Sequence, residues 1–377
     1  MQFPYVKQLR DKDLYLRKML NPLVRDLARE VWQGITPSSS PLGYRTTAKV
    51  VLGEDDFGHR HIGLFERGSK KVVDIPECPV HHPEINKLLA SFWGPKAPPA
   101  PAPFYQHGRR AFQKGRCKYL TIRYAPEPGT FAVVLSHTGV DRQALLAWAR
   151  ALPRSDVSIY EGLLTQKDGD LVLPHDASHL SGPLDVPVTI GGRTFQLGPL
   201  AFFQANASLT PVFIQKITAG LAGDELLDLY GGFGTYTFDL QQKFRRIHLV
   251  DANPHAISAA QSKVVREGFQ NIFPTQAPVE TFLQEAKRGH RRQVTHVIVN
   301  PPRSGLSPRA RTLLRECLPS LKSFTYVSCN PETLLRDLNE LSRKLGLSVT
   351  QVAAFDMFPQ TKHVETVVHL ERSRSRP

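Results

Sequence analysis

The chain has few cysteines for its length, and none are spaced to share a metal. Cys78, Cys117, Cys317 and Cys329 are its four among 377 residues, with no C-x-x-C pair. That spacing excludes a zinc ribbon or an iron–sulfur segment, and four scattered thiols fit a reducing compartment better than a disulfide framework. No stretch reaches the roughly 20 apolar residues that a membrane helix requires. The opening MQFPYVKQLRDKDLYLRK lacks the apolar core of a secretory leader, so the cytoplasm is the expected location. No internal repeat is visible, and no G-x-G-x-x-G dinucleotide fingerprint appears.

What is present is positive charge. Lys plus Arg number 48 against 34 Asp plus Glu, a formal net charge of +14. A field of that sign favours a polyanion, whether RNA, DNA or an anionic membrane surface, and also serves solubility alone. With 41% hydrophobic and 22% charged residues the chain is globular and long enough for two domains, each with its own core.

The hydrophobic rhythm divides the chain near residue 205. Leu16, Met19, Leu20, Leu23, Val24, Leu27 and Val31 recur at helical spacing over 13–32, with Pro22 set to bend the segment. TPSSSPLG (36–43) reads as a linker. Strand patterns follow at YRTTAKVVL, HIGLF, KKVVDI, CKYLTIRY, TFAVVLSH, VSIYEGLLT and LVLP, with helices over 83–93 and DRQALLAWARAL, an extended PKAPPAPAP loop, and a hairpin turn at Gly191–Gly192. Residues 1–204 are thus expected to form an α+β domain built on antiparallel sheet. Over 205–377 strands and helices alternate: LLDLY, IHLVD, NIFPTQ, HVIVN and FTYVSC each precede a helix, and two strands near 347–355 and 363–371 close the chain as an antiparallel pair at one sheet edge. This is the pattern of an α/β, doubly wound, mostly parallel sheet, whose ligands bind beyond the carboxyl ends of the strands.

The chemistry-bearing residues fall at those ends. In LLDLYGGFGTYTFDL (226–240) a strand runs into Gly231, Gly232 and Gly234, which permit a tight turn and close approach of a ligand. Asp251 stands twenty residues after Gly231, at the end of IHLVD, where a carboxylate can accept from both hydroxyls of an adenosine ribose. An ordinary βα turn has the same glycines; the acidic strand end tips the reading towards a nucleoside cofactor. HVIVNPPRSGL (296–306) places Asn300, Pro301, Pro302 and Arg303 where a strand must stop, a shape that suits a base pocket or a rigid helix-capping loop. In YVSCNPETLLRDL (326–338) Cys329 stands between a strand and a helix, and unpaired N–H groups at a helix start favour a thiolate; a buried cysteine that only packs is the commoner case, and fits Cys317. FDMFPQTKHVETVV (355–368) offers His363 and Glu365, either of them a general base if it faces the pocket.

In their order, FFQANASLT, LLDLYGGFGTYTF, LVDAN, VNPPRSGL, YVSCNPETLLRDL and FDMFPQTKHVETVV resemble the RNA uracil-5-methyltransferase family, most clearly over residues 200–369, with a looser match through YRTTAKVV and IPECPV. The resemblance implies a Rossmann-like domain that takes S-adenosylmethionine, and a first half that contacts RNA. It implies that Gln204, Tyr230, Asp251 and Asn300 contact the cofactor, with Gly232 in the cofactor turn and Thr235 near it. Cys329 would be the nucleophile and Glu365 the proton acceptor. Arg303 would steady a developing oxyanion or hold phosphate. The substrate would be tRNA or 23S ribosomal RNA with a flipped uridine, and the protein a monomer without metal, cluster or membrane. This sequence departs from the family in having Asn300 where many members have Asp, and Gly231 where relatives often have Cys. The competing readings are a methyltransferase acting on a cytosine or an amino group, and a non-catalytic RNA-binding or folding factor.

Overall fold

The computed structural model describes residues 3–24, 31–69, 71–92, 101, 103–105, 113–152, 154–168, 172–184, 186–288, 294–318 and 320–372. The elements, in chain order, begin with α1 (Tyr5–Val24) and β1 (Trp32–Thr36). Next come β2 (Thr47–Glu54), β3 (Arg60–Phe65), β4 (Val72–Asp74), α2 (Pro83–Ala90), β5 (Phe104–Tyr105), β6 (Cys117–Ala125), β7 (Thr130–His137), α3 (Arg142–Arg150), β8 (Val157–Leu163), β9 (Ser178–Ser181), β10 (Val186–Ile190) and β11 (Arg193–Leu197). The remainder is α4 (Thr210–Thr218), β12 (Gly223–Leu229), α5 (Thr235–Asp239), β13 (Phe244–Asp251), α6 (Pro254–Glu267), β14 (Ile272–Gln276), α7 (Val279–Arg288), β15 (His296–Val299), α8 (Pro308–Cys317), β16 (Ser323–Ser328), α9 (Pro331–Leu345), β17 (Leu347–Phe355) and β18 (Glu365–Arg372).

Two compact units result: Leu42–Ala207, and Met1–Pro41 joined with Ser208–Pro377. The expected single cut at 204/205 therefore misplaces the N-terminal helix. Three interactions hold it in the C-terminal unit. Leu16 and Leu20 are fully buried there, Lys12 Nζ meets Asp356 Oδ1 at 2.6 Å in an ion pair shut off from water, and β1 pairs in parallel with β17. Trp32, read as the last turn of a helix, instead opens β1, and α1 runs from Tyr5 through Pro22 to Val24.

In the Leu42–Ala207 unit the sheet order is β4-β3-β2-β6-β7-β8-β9, with β5 beside β2. Most pairs are antiparallel as expected, but β7 and β8 run parallel because α3 carries the chain back across the sheet. Gly191 and Gly192 turn the β10–β11 hairpin at positive φ. LVLP forms no strand over its described residues 172–174, and β9 takes the sheet edge instead. Most of PKAPPAPAP lies outside the described residues.

The other unit carries the doubly wound sheet, ordered β1-β17-β18-β16-β15-β12-β13-β14. Strands β12 to β16 pair in parallel, and β18 runs antiparallel to both β16 and β17. The β17–β18 pair was expected at the edge; β1 covers it. Alternation sends Leu227, Leu229, Val297, Val299, Phe324 and Tyr326 to one face, where they pack with α7, α8 and α9. On the opposite face Phe213 of α4 meets Phe355 edge-on. The chain leaves β12 in one direction through β13 and β14 and returns to its other side at β15, so the order reverses between β12 and β15.

The loop after β15 is fixed by a buried carboxylate. Asp337 of α9 is fully buried. Its Oδ2 accepts from the Leu306 amide and the Tyr326 hydroxyl, each at 2.7 Å, and its Oδ1 from Arg311 at 3.1 Å. Gly305, at φ +74°, leaves the room this needs, since a Cβ there would lie 2.6 Å from the same Oδ2. Removing one partner of such a network leaves buried groups uncompensated, at a cost of about 3–5 kcal/mol. Asp337→Ala is accordingly expected to lose about 3–5 kcal/mol in urea unfolding of the full chain; a loss under about 1 kcal/mol, the scale of an exposed pair, would contradict this role.

Candidate active site

The parallel strands end on one rim, and the sequence motifs stand along it. Val250 pairs Leu229, which pairs Val299, so Asp251, Tyr230 and Asn300 are the next residues on three neighbouring strands. The Asn300 amide donates to Leu229 O and the Gly231 amide to Val250 O, which continues the ladder one step past the strands. β18 runs the other way, so its first residue reaches the same rim. The β16–β18 register ends at Ser328 and Thr366, so Cys329 and Glu365 are the next residues at that end of the pair, and the Glu365 charge reaches the Cys329 thiol.

The glycine turn is shaped for close approach. A Cβ on Gly231 would lie 2.4 Å from Leu249 and 2.8 Å from the Asp228 carboxyl carbon, whereas Gly232, at φ +58°, has open space where its Cβ would be. The Gly232 amide donates to Asp251 Oδ2 at 2.9 Å and the Asn253 amide to Oδ1 at 2.8 Å. These two bonds fix the carboxylate in the turn. Tyr230 holds a left-handed φ of +58° without being glycine, a strained conformation typical of functional turns. Thr235 begins α5, after Gly234 at φ +90°. A backbone cradle with an anchored acid at the second strand end suits the ribose of an adenosine cofactor. Gln204 belongs to the other unit; its amide oxygen is buried without a hydrogen-bond partner among the described residues.

Two buried groups of this region escape a reading of the sequence. Asp228, fully buried in β12, accepts from Thr237 Oγ1 at 2.7 Å and keeps Oδ1 unpartnered among the described residues. Burial first, and then the charge of Asp251, push its pKa up to about 7. Tyr236 receives a hydrogen bond from Asn300 Nδ2 at 3.2 Å. Its phenol is held far above its ordinary pKa by burial, then by Asp228 and Glu365, so it remains a neutral hydroxyl. The only sequence signal for either was position: both lie within the quoted glycine motif.

Cys329 differs in access from Cys117 and Cys317; Cys78 is equally half-buried, and only Cys329 among the four lines the cavity beside Arg303. Cys117 is buried in sheet core and its thiol is pushed up to about 12; Cys317 is buried, with Sγ 3.2 Å from Leu283 O. Cys329 is half-buried and lines a cavity of about 1070 Å³ together with Arg303, His363 and residues of α1. Burial raises its pKa most, Glu365 raises it further, and Arg303 and its own backbone N–H draw it down. Asn330 caps α9 through the Glu332 amide and donates to Arg303 O at 3.1 Å, which ties the cysteine turn to the Asn-Pro-Pro loop. Glu365 is buried, and loss of solvent lifts its pKa to about 8. His363 Nδ1 lies 3.0 Å from Arg303 Nη2; burial and then Arg303, Lys362 and Lys12 lower its pKa, so the neutral ring accepts from the guanidinium. The rim therefore gathers Tyr230, Gly232, Asp251, Asn300, Cys329 and Glu365, with Arg303 and His363 at the cavity.

Comparison with known proteins gives the family and the fold. Residues 190–373 match the family model for tRNA (uracil-5-)-methyltransferases. An RNA methyltransferase of Thermotoga maritima is 31% identical, aligned over 98% of this chain and 81% of its own length, and one of Geobacter sulfurreducens is 29% identical over 90% and 68%. Among solved structures, the tRNA (uracil-54, C5)-methyltransferase of Pyrococcus abyssi in complex with S-adenosyl-L-homocysteine shares the fold, with a TM-score of 0.75 at 24% identity over 98% of this chain and 84% of that one. With both the fold and the ordered motifs in agreement, this chain belongs to the RNA uracil-5-methyltransferase family, the S-adenosylmethionine-dependent enzymes that methylate RNA.

Proposed function

We propose that this enzyme forms 5-methyluridine in RNA, with Cys329 as covalent nucleophile and Glu365 as the base that completes the reaction. The observation that supports the reading is that the β16–β18 register ends beside Cys329 and Glu365, with the Glu365 charge felt by the Cys329 thiol, next to a cavity and at the same rim as the glycine turn. S-adenosylmethionine supplies an electrophilic methyl group. Tyr230, Gly232, Asp251 and Asn300 would hold it, with Thr235 nearby; the anchored carboxylate and the open glycine backbone are the features that fit it.

Carbon 5 of uracil is too weak a nucleophile to take that methyl unaided. Addition of the Cys329 thiolate to carbon 6 forms a carbon–sulfur bond and pushes the ring electrons towards carbon 5 and the carbon 4 oxygen. Arg303, the cation that already lowers the thiol's pKa, favours the thiolate and would steady the oxyanion. After methylation Glu365 takes the carbon 5 proton, the ring double bond re-forms, and sulfur leaves as thiolate. A carboxylate whose pKa is raised by burial is a stronger base than an exposed one. The uracil must leave its stack to reach the cavity, so the target is a flipped uridine in a loop or disrupted helix. The names of the matched family and of the Pyrococcus relative favour tRNA over 23S ribosomal RNA. The Leu42–Ala207 unit would hold the RNA backbone. A monomer acting in the cytoplasm completes the proposal.

Cys329→Ala is expected to abolish methyl transfer to RNA while calorimetry still shows cofactor binding; turnover at the wild-type rate would remove Cys329 from the mechanism. Glu365→Gln is expected to pass methyl transfer but accumulate a protein–RNA adduct on denaturing gels, and free turnover would assign the base elsewhere. The pH dependence follows from the shifts. Cys329 and Glu365 both act deprotonated and both pKa values are raised, so release of tritium from carbon 5 should rise with pH until Glu365 ionises at about 8. A rate that falls over that range would contradict the assignment.

A further inference from the structure

The cavity that exposes Cys329 is larger than its proposed uracil needs. Drug-sized ligands fill pockets of roughly 300–1,000 Å³, and a single pyrimidine nucleoside is smaller than most of them, whereas this cavity measures about 1070 Å³. Its far wall is α1, whose Gln8, Asp11, Lys12 and Tyr15 recur at helical spacing and so lie on one face.

That face is held rigidly against the segment leading to Glu365. Lys12 Nζ pairs with Asp356 and also reaches Phe358 O at 3.3 Å. The Gln8 side chain donates to Gln360 Oε1 at 2.8 Å, and the Gln360 amide donates back to Gln8 Oε1 at 3.1 Å. Gln360 itself sits at φ +64°. With these polar groups engaged in anchoring, the helix turns aromatic surface to the cavity. Tyr15 is 43% exposed, a value high for a ring that only packs. Arg303 and Lys362 line the same space, which suits a phosphodiester between two nucleotides.

We propose that α1 forms a second base subsite, in which Tyr15 stacks on the unpaired base neighbouring the methylated uridine. This rests on the reading of Cys329 as the centre of uridine methylation and extends it to the substrate's flanking nucleotide. Aromatic stacking tolerates any base and contributes about 1–3 kcal/mol each, so the subsite would add affinity for an open single strand rather than choose a sequence.

The test uses the full chain and a stem–loop RNA with a uridine in its loop, together with a series in which each unpaired nucleotide in turn lacks its base. Tyr15→Ala should weaken equilibrium binding about tenfold, raise KM in parallel, and leave kcat at saturating RNA within about twofold. Tyr15→Phe should restore binding. One abasic position, next to the methylated uridine, should cost the wild type a similar factor and cost Tyr15→Ala nothing further. Unchanged binding by Tyr15→Ala, or losses that add in full at every abasic position, would overturn the subsite. Binding is read without turnover, so a wild type that binds in this pattern yet does not methylate uridine would refute the role of Cys329 and leave the subsite standing.

Discussion

The site depends on one buried carboxylate. Asp337 joins β16, the loop after β15, α8 and α9 through Tyr326, Leu306 and Arg311, and these are the elements that carry Asn300, Arg303 and Cys329. Without a fixed loop, the two prolines after Asn300 would stop the strand but would not aim anything. Asn330 adds a second tie, from the cysteine turn to Arg303 O. Cys329 is thus positioned by a network in which a fully buried carboxyl group has its close hydrogen-bond partners supplied by the fold, the condition under which a buried polar group is tolerated.

The same low-polarity surroundings set the chemistry. Burial raises both Cys329 and Glu365, so at neutral pH the resting pair is largely uncharged, and neither group bears the cost of an isolated buried ion. Each is also more basic than its exposed counterpart. A thiol that becomes a strong nucleophile only when deprotonated beside Arg303, and a carboxyl that is a strong base once ionised, match a mechanism in which sulfur must both add and leave. Tyr236 and Asn300, bonded to each other at the rim, are both neutral, and the Glu365 charge helps to keep the Tyr236 phenol protonated.

Much of this was legible in the sequence, for identifiable reasons. β12, β13, β15 and β16 are short apolar runs ending in Gly, Asp, Asn-Pro-Pro or Cys-Asn-Pro, so both the strands and their functional ends could be read. β1 could not, because Trp32-Gln-Gly-Ile-Thr is short, interrupted by glycine, and paired with a strand more than 300 residues away (Trp32 against Val352); with it went the correct placement of α1. Asp337 looks like an ordinary polar residue of an amphipathic helix, and only the tertiary fold shows that it faces inward. Asp228 looks like a break in an apolar strand. That Glu365 and Cys329 stand at the same end of the β16–β18 pair follows from the register Ser328 to Thr366, which no local pattern contains.

The central claim is a transient bond between the sulfur of Cys329 and carbon 6 of a uracil. It is tested most directly with RNA in which the target uridine is replaced by 5-fluorouridine, because fluorine on carbon 5 leaves no proton for Glu365 to remove. Incubated with S-adenosylmethionine, the protein should form a stable adduct, and mass spectrometry of the digested complex should find the modified, methylated nucleotide on the peptide bearing Cys329. Recovery of every Cys329 peptide unmodified from a protein that methylates ordinary uridine would contradict the account.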